Sequence, residues 1–376
     1  MTGFPIRILQ VSYGMDRGGA ETLIMNIYRN IDRTKVQFDF LLHNPGRTAY
    51  EDEIESLGGR IHHIPRFLGY NKLSYDRKLK AFLLSHPEYR IIHDHLMDSA
   101  EETFRVAKKL GRLTIAHSHA VEEVRTLPDY IRFLFRRSLY RFSDVRLACS
   151  RAAGDWLYRG KDDYIVINNG IDTKKFRFSE EERNEKRKEL GLSPDTVLIT
   201  NTGRLVEGKN QKRLIDIYAL FHEENGNSKL MIIGSGPLEK ELRKEAENMQ
   251  IKDEVIFTGE RSDIPSLLAA SDIFLFPSLS EGLGIVLVEA EASGLPCVFS
   301  SSIPEEVDLV PSLVSRVSPD DDDSVWVKAV ERALKKRRKT EREKEYLSVR
   351  EKGYDIKETA EIMENLYITL ASRSAD

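Results

Sequence analysis

The sequence predicts an α/β protein built on two parallel β-sheets. Short apolar segments with strand character alternate with longer segments of helical character, a pattern typical of a parallel sheet covered by helices on both faces. This alternation begins a second time after Asp172. At 376 residues the chain also exceeds the size at which a single hydrophobic core stops growing, so two domains of ordinary size are expected.

The strand-like segments fall into two groups. Those of the first half read IRILQVS, VQFDFLL, RIHHIP, RIIHDH, LTIAHSH, VRLACS and YIVINNG. A charged and weakly apolar stretch, TKKFRFSEEERNEKRKELGLSPD, then separates them from the second group. That group reads VLITNTGR, KLMIIGSG, EVIFTGE, DIFLFPS and PCVFSS. The join at 171–175 is therefore the predicted domain boundary.

Two helices are predicted near the end of the chain. The basic run from Lys335 to Lys352 is interleaved with glutamates, which favours a solvated helix face. The closing segment YDIKETAEIMENLYITLA has apolar residues at helical spacing and predicts a packed helix, with the stripe Ile356, Ala360, Met363, Leu366 and Tyr367. We assign 1–172 to an N-terminal domain, 173–356 to a C-terminal domain and about 357–376 to the final helix.

Composition excludes several classes of protein. A formal charge of −4 gives no global attraction to nucleic acid, and 40% hydrophobic with 31% charged residues is typical of a globular chain. Cys149 and Cys297 each lie in an apolar segment, which predicts two buried thiols and no disulfide. The first apolar stretch is too short for a secretory signal, so we expect a cytoplasmic protein.

The stretch 276–296, FPSLSEGLGIVLVEAEASGLP, contains two glutamates eight residues apart. A polar loop follows the strand DIFLF, and a helix is expected from Leu283 until Gly294 and Pro296 end it. Such a turn lies at the carboxyl edge of a parallel sheet, where ligands bind. Glu281 and Glu289 could grip hydroxyl groups of a phosphate-bridged ligand, or they could be an N-terminal helix charge and a surface position.

Glycine turns and cations follow other strands of both sheets. Gly18 and Gly19 follow the first strand and let the backbone approach an anion closely, although a glycine turn without a ligand is the alternative. Arg204 and Lys209 follow the first strand of the second half and suit a leaving diphosphate, although surface charge is the alternative for an isolated pair. Gly234, together with Arg261 in the turn GER, follows later strands of the same sheet. The convergence of the turns of this second sheet on one rim favours a ligand site.

Two pairs of histidines also end strands, His93 with His95 and His117 with His119. A metal site is one interpretation, but no cysteine and no obvious third ligand is near in the sequence, so no metal site is predicted. A histidine at the carboxyl end of a strand is better placed to hydrogen-bond a substrate hydroxyl. For His93 and His95, structural polar contacts are the favoured interpretation.

Taken in order, these motifs resemble the retaining glycosyltransferases of sequence family 4, which have the GT-B architecture. The resemblance covers nearly the whole chain and is carried by GGAE, NNGIDTKKF, GRLVEGKNQKRLI, GSGPLEKEL and FTGERSDIPSLLAASDIFLFPSLSEGLGIVLVEAEASGLP. It implies two Rossmann-like domains facing each other across a cleft, with the C-terminal helix packing back on the N-terminal domain. The first domain would bind the acceptor and the second the nucleotide-sugar donor.

The resemblance also implies roles for individual residues. Glu281 would touch the donor sugar, Glu289 would hold the ribose, and His117 would lie near the sugar at the reacting centre. The predicted catalytic residues are His117, Glu281, Arg204 and Lys209. The predicted donor-binding residues are Gly18, Gly19, Arg204, Lys209, Gly234, Arg261, Glu281, Gly282, Leu283, Gly284 and Glu289.

The implied reaction moves a sugar, most simply from a UDP-sugar, to a glycan or lipid-linked acceptor with retention of the anomeric configuration and without a metal or other cofactor. The segments TIAHSHA and RGGAETLIMNIYRNID resemble enzymes of capsular and exopolysaccharide assembly. Two alternatives are a non-catalytic subunit that binds a nucleotide sugar and supports a partner transferase, and a sugar-nucleotide epimerase.

The segment 125–146, RTLPDYIRFLFRRSLYRFSDVR, is rich in arginine and aromatic residues. As a helix it could place Arg132, Arg136 and Arg137 beside an apolar stripe and lie peripherally on the anionic inner face of a membrane. An ordinary packed helix with a charged outer face is the alternative interpretation.

Overall fold

The computed structural model describes residues 5–96, 99–119, 139–158, 163–336 and 342–373. The chain forms two compact units. One comprises Met1–Gly170 with Ile356–Asp376, and the other comprises Ile171–Asp355. Of the basic segment 125–146, residues 125–138 lie outside the described part of the chain. No helix in the described ranges is long and apolar enough to cross a membrane.

The first unit contains a seven-stranded parallel sheet. Its strands are β1 (Ile6–Ser12), β2 (Val36–Leu42), β3 (Ile61–His63), β4 (Ile91–Asp94), β5 (Leu113–Ser118), β6 (Val145–Ala148) and β7 (Ile165–Val166). The strand order is β3-β2-β1-β4-β5-β6-β7. All seven residues of β2 are buried, as expected for a strand covered on both faces. The order reverses direction beside β1, so the point between β1 and β4 is a topological switch point.

The second unit contains a six-stranded parallel sheet. Its strands are β8 (Val197–Thr202), β9 (Ser228–Ile233), β10 (Val255–Gly259), β11 (Ile273–Phe276), β12 (Cys297–Ser300) and β13 (Val314–Val317). The strand order is β10-β9-β8-β11-β12-β13, so the corresponding switch point lies between β8 and β11. The two parallel α/β sheets confirm the predicted fold class.

Helices cover both faces of each sheet. In the first unit they are α1 (Gly19–Asn30), α2 (Glu51–Ser56), α3 (Lys72–Ser85), α4 (Ala100–Lys109), α5 (Leu139–Phe142) and α6 (Arg151–Tyr158). In the second they are α7 (Glu180–Glu189), α8 (Gln211–Glu224), α9 (Glu239–Asn248), α10 (Ile264–Ala270), α11 (Ile285–Ala292), α12 (Asp323–Lys336) and α13 (Glu345–Val349). The last helix, α14 (Ile356–Arg373), returns to the first unit.

Helix α14 packs on the first unit through the stripe seen in the sequence. Ile356, Met363 and Tyr367 are buried in the same core cluster as residues of β1, β2 and α1. Burying each such apolar side chain contributes about 1.5–3 kcal/mol. The ring of Tyr367 meets Phe38 of β2 edge-on, with 5.7 Å between ring centroids. The end of the chain is therefore part of the first core.

Two expectations from the sequence were wrong. Strand β13, of sequence VSRV, is not among the predicted strands, because a four-residue edge strand with serine and arginine lacks a strong apolar signal. The basic run 335–352 is not a uniformly solvated face. Arg342 is buried, and its guanidinium donates to the carbonyl oxygens of Ser293, Ser271 and Leu268. Those carbonyls compensate the loss of water around the charge.

Candidate functional site

The switch point of the second sheet brings two predicted turns together. Arg204 and Lys209 follow β8, and Glu281 follows β11, its neighbour in the sheet. The turn after β8 includes a 3-10 turn at Glu207–Lys209 and ends at Asn210 with a φ of 54°. Because both turns leave the carboxyl ends of adjacent strands, their side chains meet at the rim.

Lys209 and Glu281 form an ion pair at this rim. The Lys209 Nζ lies 2.5 Å from one carboxylate oxygen of Glu281 and 2.7 Å from the other. The Ser278 hydroxyl donates to the same carboxylate at 2.6 Å, and Lys209 lies over the Phe276 ring. The ammonium group is thus held in place, yet 25% of the Lys209 side chain remains exposed. A bound diphosphate could therefore reach this charge without refolding of the turn.

Arg204 supplies a second cation on the same turn. Its side chain is exposed, and no described residue forms a hydrogen bond or ion pair with its guanidinium. A planar guanidinium can bind two phosphate oxygens at once. Arg204 is therefore available to an anionic ligand, whereas Lys209 already has a partner.

The two glutamates of the E-x7-E pattern occupy different kinds of backbone. Helix α11 begins at Ile285 after Gly284, which has a φ of 91°, so Glu281 lies in the loop and only Glu289 lies on the helix. The expectation that the helix starts at Leu283 was wrong by two residues. Leu283 itself is buried and anchors the loop, while Gly282 lies between it and Glu281.

Glu289 is partly buried, and its carboxylate has no partner among the described residues. The surrounding protein removes water from the carboxylate and raises its pKa from the ordinary range to about 7. A ligand that donates hydrogen bonds to this carboxylate would stabilise its charged form. Ribose hydroxyl groups are donors of that kind.

Gly234 lies in the turn after β9, the strand on the other side of β8. Its φ is 134°, and an added Cβ would lie 2.1 Å from the carbonyl oxygen of Gly203. Its N–H donates to the Gly259 carbonyl at 2.9 Å, which ties the turn after β9 to the end of β10. Only glycine fits this position without displacement of the backbone.

Arg261 takes no part in the ion pair between Lys209 and Glu281. Its guanidinium donates to both carboxylate oxygens of Asp263 at 2.7 Å and lies 3.5 Å from Glu189. The Arg261 guanidinium and the Lys186 ammonium group hold the pKa of Asp263 below its ordinary range. Donor binding by Arg261 would require it to leave or share these carboxylates.

The first unit places Gly18 at the N-cap of α1 and Gly19 as its first helical residue. An added Cβ at Gly18 would lie 2.2 Å from a carboxylate oxygen of Glu21, while Gly19 has open space. Burial raises the pKa of Glu21 above its ordinary range. The loop therefore brings a partly desolvated carboxyl group to the helix N-terminus.

Four histidines converge at the carboxyl ends of β4 and β5. Neighbouring ring centroids are 4.1 Å apart for His117 with His119 and 4.2 Å apart for His93 with His95. The rings of His93 and His117 are stacked at 5.3 Å. Burial lowers the pKa of each ring below its ordinary range, to about 4 for His119, so all four are neutral at pH 7.

Two residues outside the predicted site organise this cluster. The Tyr367 hydroxyl lies 2.8 Å from the His93 Nδ1, and Gln10 donates to that hydroxyl at 3.3 Å. The Gln10 Oε1 lies 2.8 Å from the His95 Nε2. Tyr367 is distant in sequence, so no local pattern could reveal it. Gln10 stands out only as a polar residue inside an apolar strand.

One cavity of the second unit is unsuited to a diphosphate. It has a volume of about 420 Å³ and lies beside Asn210 and Arg213. Its wall includes the four consecutive aspartates 320–323 and Asp216. Because these carboxylates repel anions, the cavity is less suited to a diphosphate than the sheet edge that carries Lys209.

Comparison with known protein families gives two matches. Residues 17–175 match the family described as Glycosyltransferase Family 4. Residues 182–349 match the family described as Glycosyl transferases group 1. The two matches lie one after the other and together span most of both units.

Individual relatives agree with these families. The chain is 34% identical to EpsF of Bacillus subtilis strain 168, a protein whose name assigns it to the glycosyltransferases, over 96% of each chain. It is 29% identical to the Escherichia coli UDP-Gal:alpha-D-GlcNAc-diphosphoundecaprenol alpha-1,3-galactosyltransferase, over 58% of this chain and 59% of that protein. The crystal structure of Anabaena HepE in complex with UDP has the same fold, with a TM-score of 0.77 at 20% identity, covering 97% of this chain and all of HepE.

Proposed function

Because the chain belongs to the glycosyltransferases of sequence family 4, which have the GT-B architecture, we propose that it transfers a sugar from a UDP-sugar to a hydroxyl group. The acceptor is a glycan or a lipid-linked glycan of a surface polysaccharide. The name of the Escherichia coli relative, with its UDP-Gal donor and diphosphoundecaprenol acceptor, and the UDP complex of HepE support this choice.

The observation that carries the proposal is the Lys209–Glu281 ion pair beside the exposed Arg204. Two cations at the carboxyl edge of a parallel sheet suit the two phosphates of a departing UDP. Glu281, fixed by Ser278 and Lys209, can accept hydrogen bonds from sugar hydroxyl groups. Glu289, without a partner of its own, takes the ribose.

In the proposed reaction the bond between the sugar C1 and the β-phosphate oxygen breaks, and a bond from C1 to the acceptor oxygen forms on the same face. The acceptor proton passes to the departing β-phosphate oxygen, so no enzymic base is needed and the anomeric configuration is retained. A neutral His117 can hydrogen-bond a sugar hydroxyl but supplies no charge. Arg204 and Lys209 provide the positive charge that the leaving group needs, and no metal takes part.

A donor panel tests this proposal. Purified full-length protein is incubated in EDTA with UDP-, GDP- and ADP-sugars, and released nucleoside diphosphate and thermal shift are measured. Release from a UDP-sugar that is lost in Glu281→Gln supports the proposal. Binding of a donor without turnover would favour the non-catalytic subunit that requires a partner transferase, and a failure of every donor to bind would contradict the proposal. A covalent glycosyl-enzyme would contradict the same-face mechanism.

A further inference from the structure

The four-histidine cluster of the first unit has the composition of a transition-metal site. His93, His95 and His117 each offer a ring nitrogen, and these nitrogens lie within 4.8 Å of one another. Three imidazole nitrogens are a common ligand set for Zn²⁺ and related divalent ions. The sequence showed only two pairs, and folding brings His117 to His93 and His95 as the third ligand.

Several nitrogens of this cluster are unsatisfied. The Nε2 of His93 and both ring nitrogens of His117 are buried and have no hydrogen-bond partner among the described residues. Each buried polar atom without a partner costs about 1–3 kcal/mol. A bound cation would satisfy the lone pairs, whereas the protein alone leaves them without a ligand.

The groups behind the rings have the arrangement of an outer ligand shell. The His93 Nδ1 lies 2.8 Å from the Tyr367 hydroxyl, and in the tautomer with the ring proton on Nδ1 the lone pair is on Nε2. The His95 Nε2 can donate to the Gln10 Oε1 at 2.8 Å, which leaves the lone pair on Nδ1. Such outer hydrogen bonds fix the tautomer and orientation of ligating histidines.

Two of the four histidines keep some exposure to solvent. His93 and His117 are buried, whereas His95 and His119 are partly exposed. The His95 Nδ1 now lies 2.8 Å from the His119 Nε2. A metal ion bound between these rings would replace this hydrogen bond, and His119 could then serve as the fourth ligand of a tetrahedral site.

We propose that His93, His95 and His117, with His119 as the fourth ligand, bind a divalent transition-metal ion of the zinc class. The metal has no part in the transfer step. On the proposed function, a ring nitrogen of His117 hydrogen-bonds a sugar hydroxyl, and an ion bound to that ring would occupy the nitrogen. The site is therefore inhibitory, and transfer is fastest in a chelator.

Direct metal binding tests the site without reference to activity. Full-length protein is freed of metal with EDTA, dialysed, and titrated with Zn²⁺ against a chromophoric chelator and with Co²⁺ by visible absorption. We expect one ion per chain and the intense absorption of tetrahedral Co²⁺. An absence of stoichiometric binding, or a Co²⁺ spectrum of the aqueous ion, would overturn the inference.

Two variants localise the ion. His93→Asn keeps an amide near Tyr367 but removes Nε2, and His95→Gln keeps a donor near Gln10 but removes Nδ1. Each should weaken Zn²⁺ binding by more than the roughly 10–100-fold typical of an outer-shell change. His63→Ala, an exposed histidine of the same unit, is the matched control and should bind as the parent does. Equal weakening in the control would refute the assignment.

Inhibition is the second readout. Donor turnover in EDTA should fall when Zn²⁺ is added in excess of the chelator and should be unaffected by the same free Zn²⁺ in His93→Asn. Equal inhibition of the parent and His93→Asn would contradict an inhibitory role for this cluster. If the chain binds Zn²⁺ but turns over no donor, the metal site is supported and the proposed function is contradicted.

Discussion

Lys209 carries the fixed positive charge of the proposed donor site, because Glu281 holds its ammonium group with two short contacts. The same residues that fix the charge also leave it partly exposed. A charge that is already positioned when the ligand arrives needs no reorganisation as negative charge develops on the leaving phosphate. The proposed chemistry therefore depends on the placement of charge at single residues.

Replacement of Lys209 tests that role. Lys209→Met should lower kcat for donor turnover by about 10²–10³-fold, the typical effect of removing one preorganised group from a developing anion. Lys212→Met is the matched control, since Lys212 lies nearby on α8, is exposed, and is 3.7 Å from Glu245. Steady-state release of UDP is the measurement. Similar losses in both variants would show that the position of the charge is unimportant.

Glu289 makes the stability of the fold depend on pH. Its raised pKa, about 7, means that the folded chain keeps a proton that the unfolded chain has lost, so Glu289 lowers stability as pH rises from about 5 to 7. Glu289→Gln removes this penalty. Its melting temperature should equal that of the parent near pH 5 and exceed it at pH 8 by about 2–4 °C, on the order of 1 kcal/mol.

Thermal unfolding from about pH 5 to pH 8 measures this difference. Glu361→Gln, a change of an exposed glutamate on α14, should leave the melting temperature unchanged at every pH. A difference between Glu289→Gln and the parent that does not depend on pH would contradict an uncompensated carboxyl group.

At the scale of elements, the turn after β9 determines how closely the rim strands approach. Gly234→Ala places a Cβ against the Gly203 carbonyl and demands an unusual φ, so we expect a loss of about 2–4 kcal/mol and of UDP binding. Gly226→Ala, in the α8–β9 loop with open space around it, should be tolerated. Thermal unfolding and UDP titration of both variants check this, and equal behaviour would refute the close-approach argument.

The elements also show what a sequence can reveal. The alternation of strands and helices predicted two parallel sheets, and the glycine turns predicted a ligand rim on the second. Long-range pairs were not predictable. Arg183 and Arg187 stood in a segment interpreted as charged and weakly apolar, yet both are buried against Asp272 at 2.6 and 3.2 Å. Burial of a charge depends on a partner that sequence spacing does not display.

In the candidate site, too, some features were predictable from the sequence and others were not. The positions of Lys209 and Glu281 followed from the carboxyl-edge rule, but their ion pair and the hydrogen bond from Ser278 are seen only in the structure. The meeting of His93 with His117 arises from neighbouring strands 24 residues apart in the chain, and Tyr367 reaches them only because α14 returns to the first unit. The roles of these residues in transfer stay predictions.

At the scale of the molecule, the two sheets repeat one topology, each with a switch point beside its first strand. The proposed acceptor of a surface polysaccharide would be presented at a membrane, and the basic segment 125–146 is the part of the sequence suited to meet it. Binding to the membrane would then bring the enzyme to its acceptor.

Vesicle binding tests this membrane role. The protein should float with anionic vesicles at low salt and dissociate at high salt. Replacing Arg132, Arg136 and Arg137 by glutamine should weaken binding by about 100-fold, at ~1 kcal/mol for each charge. The same change at the exposed Lys335 and Lys336 is the control. No binding to anionic vesicles at low salt would remove the membrane role.

Calorimetric titration with UDP in EDTA tests the central claim most directly, because it requires no acceptor and no knowledge of the sugar. We predict binding at one site per chain, lost or strongly weakened in Lys209→Met and in Arg204→Met, and retained in Lys212→Met. If UDP shows no binding, or if it binds equally well to all these variants, the rim of β8 and β11 is not the donor site.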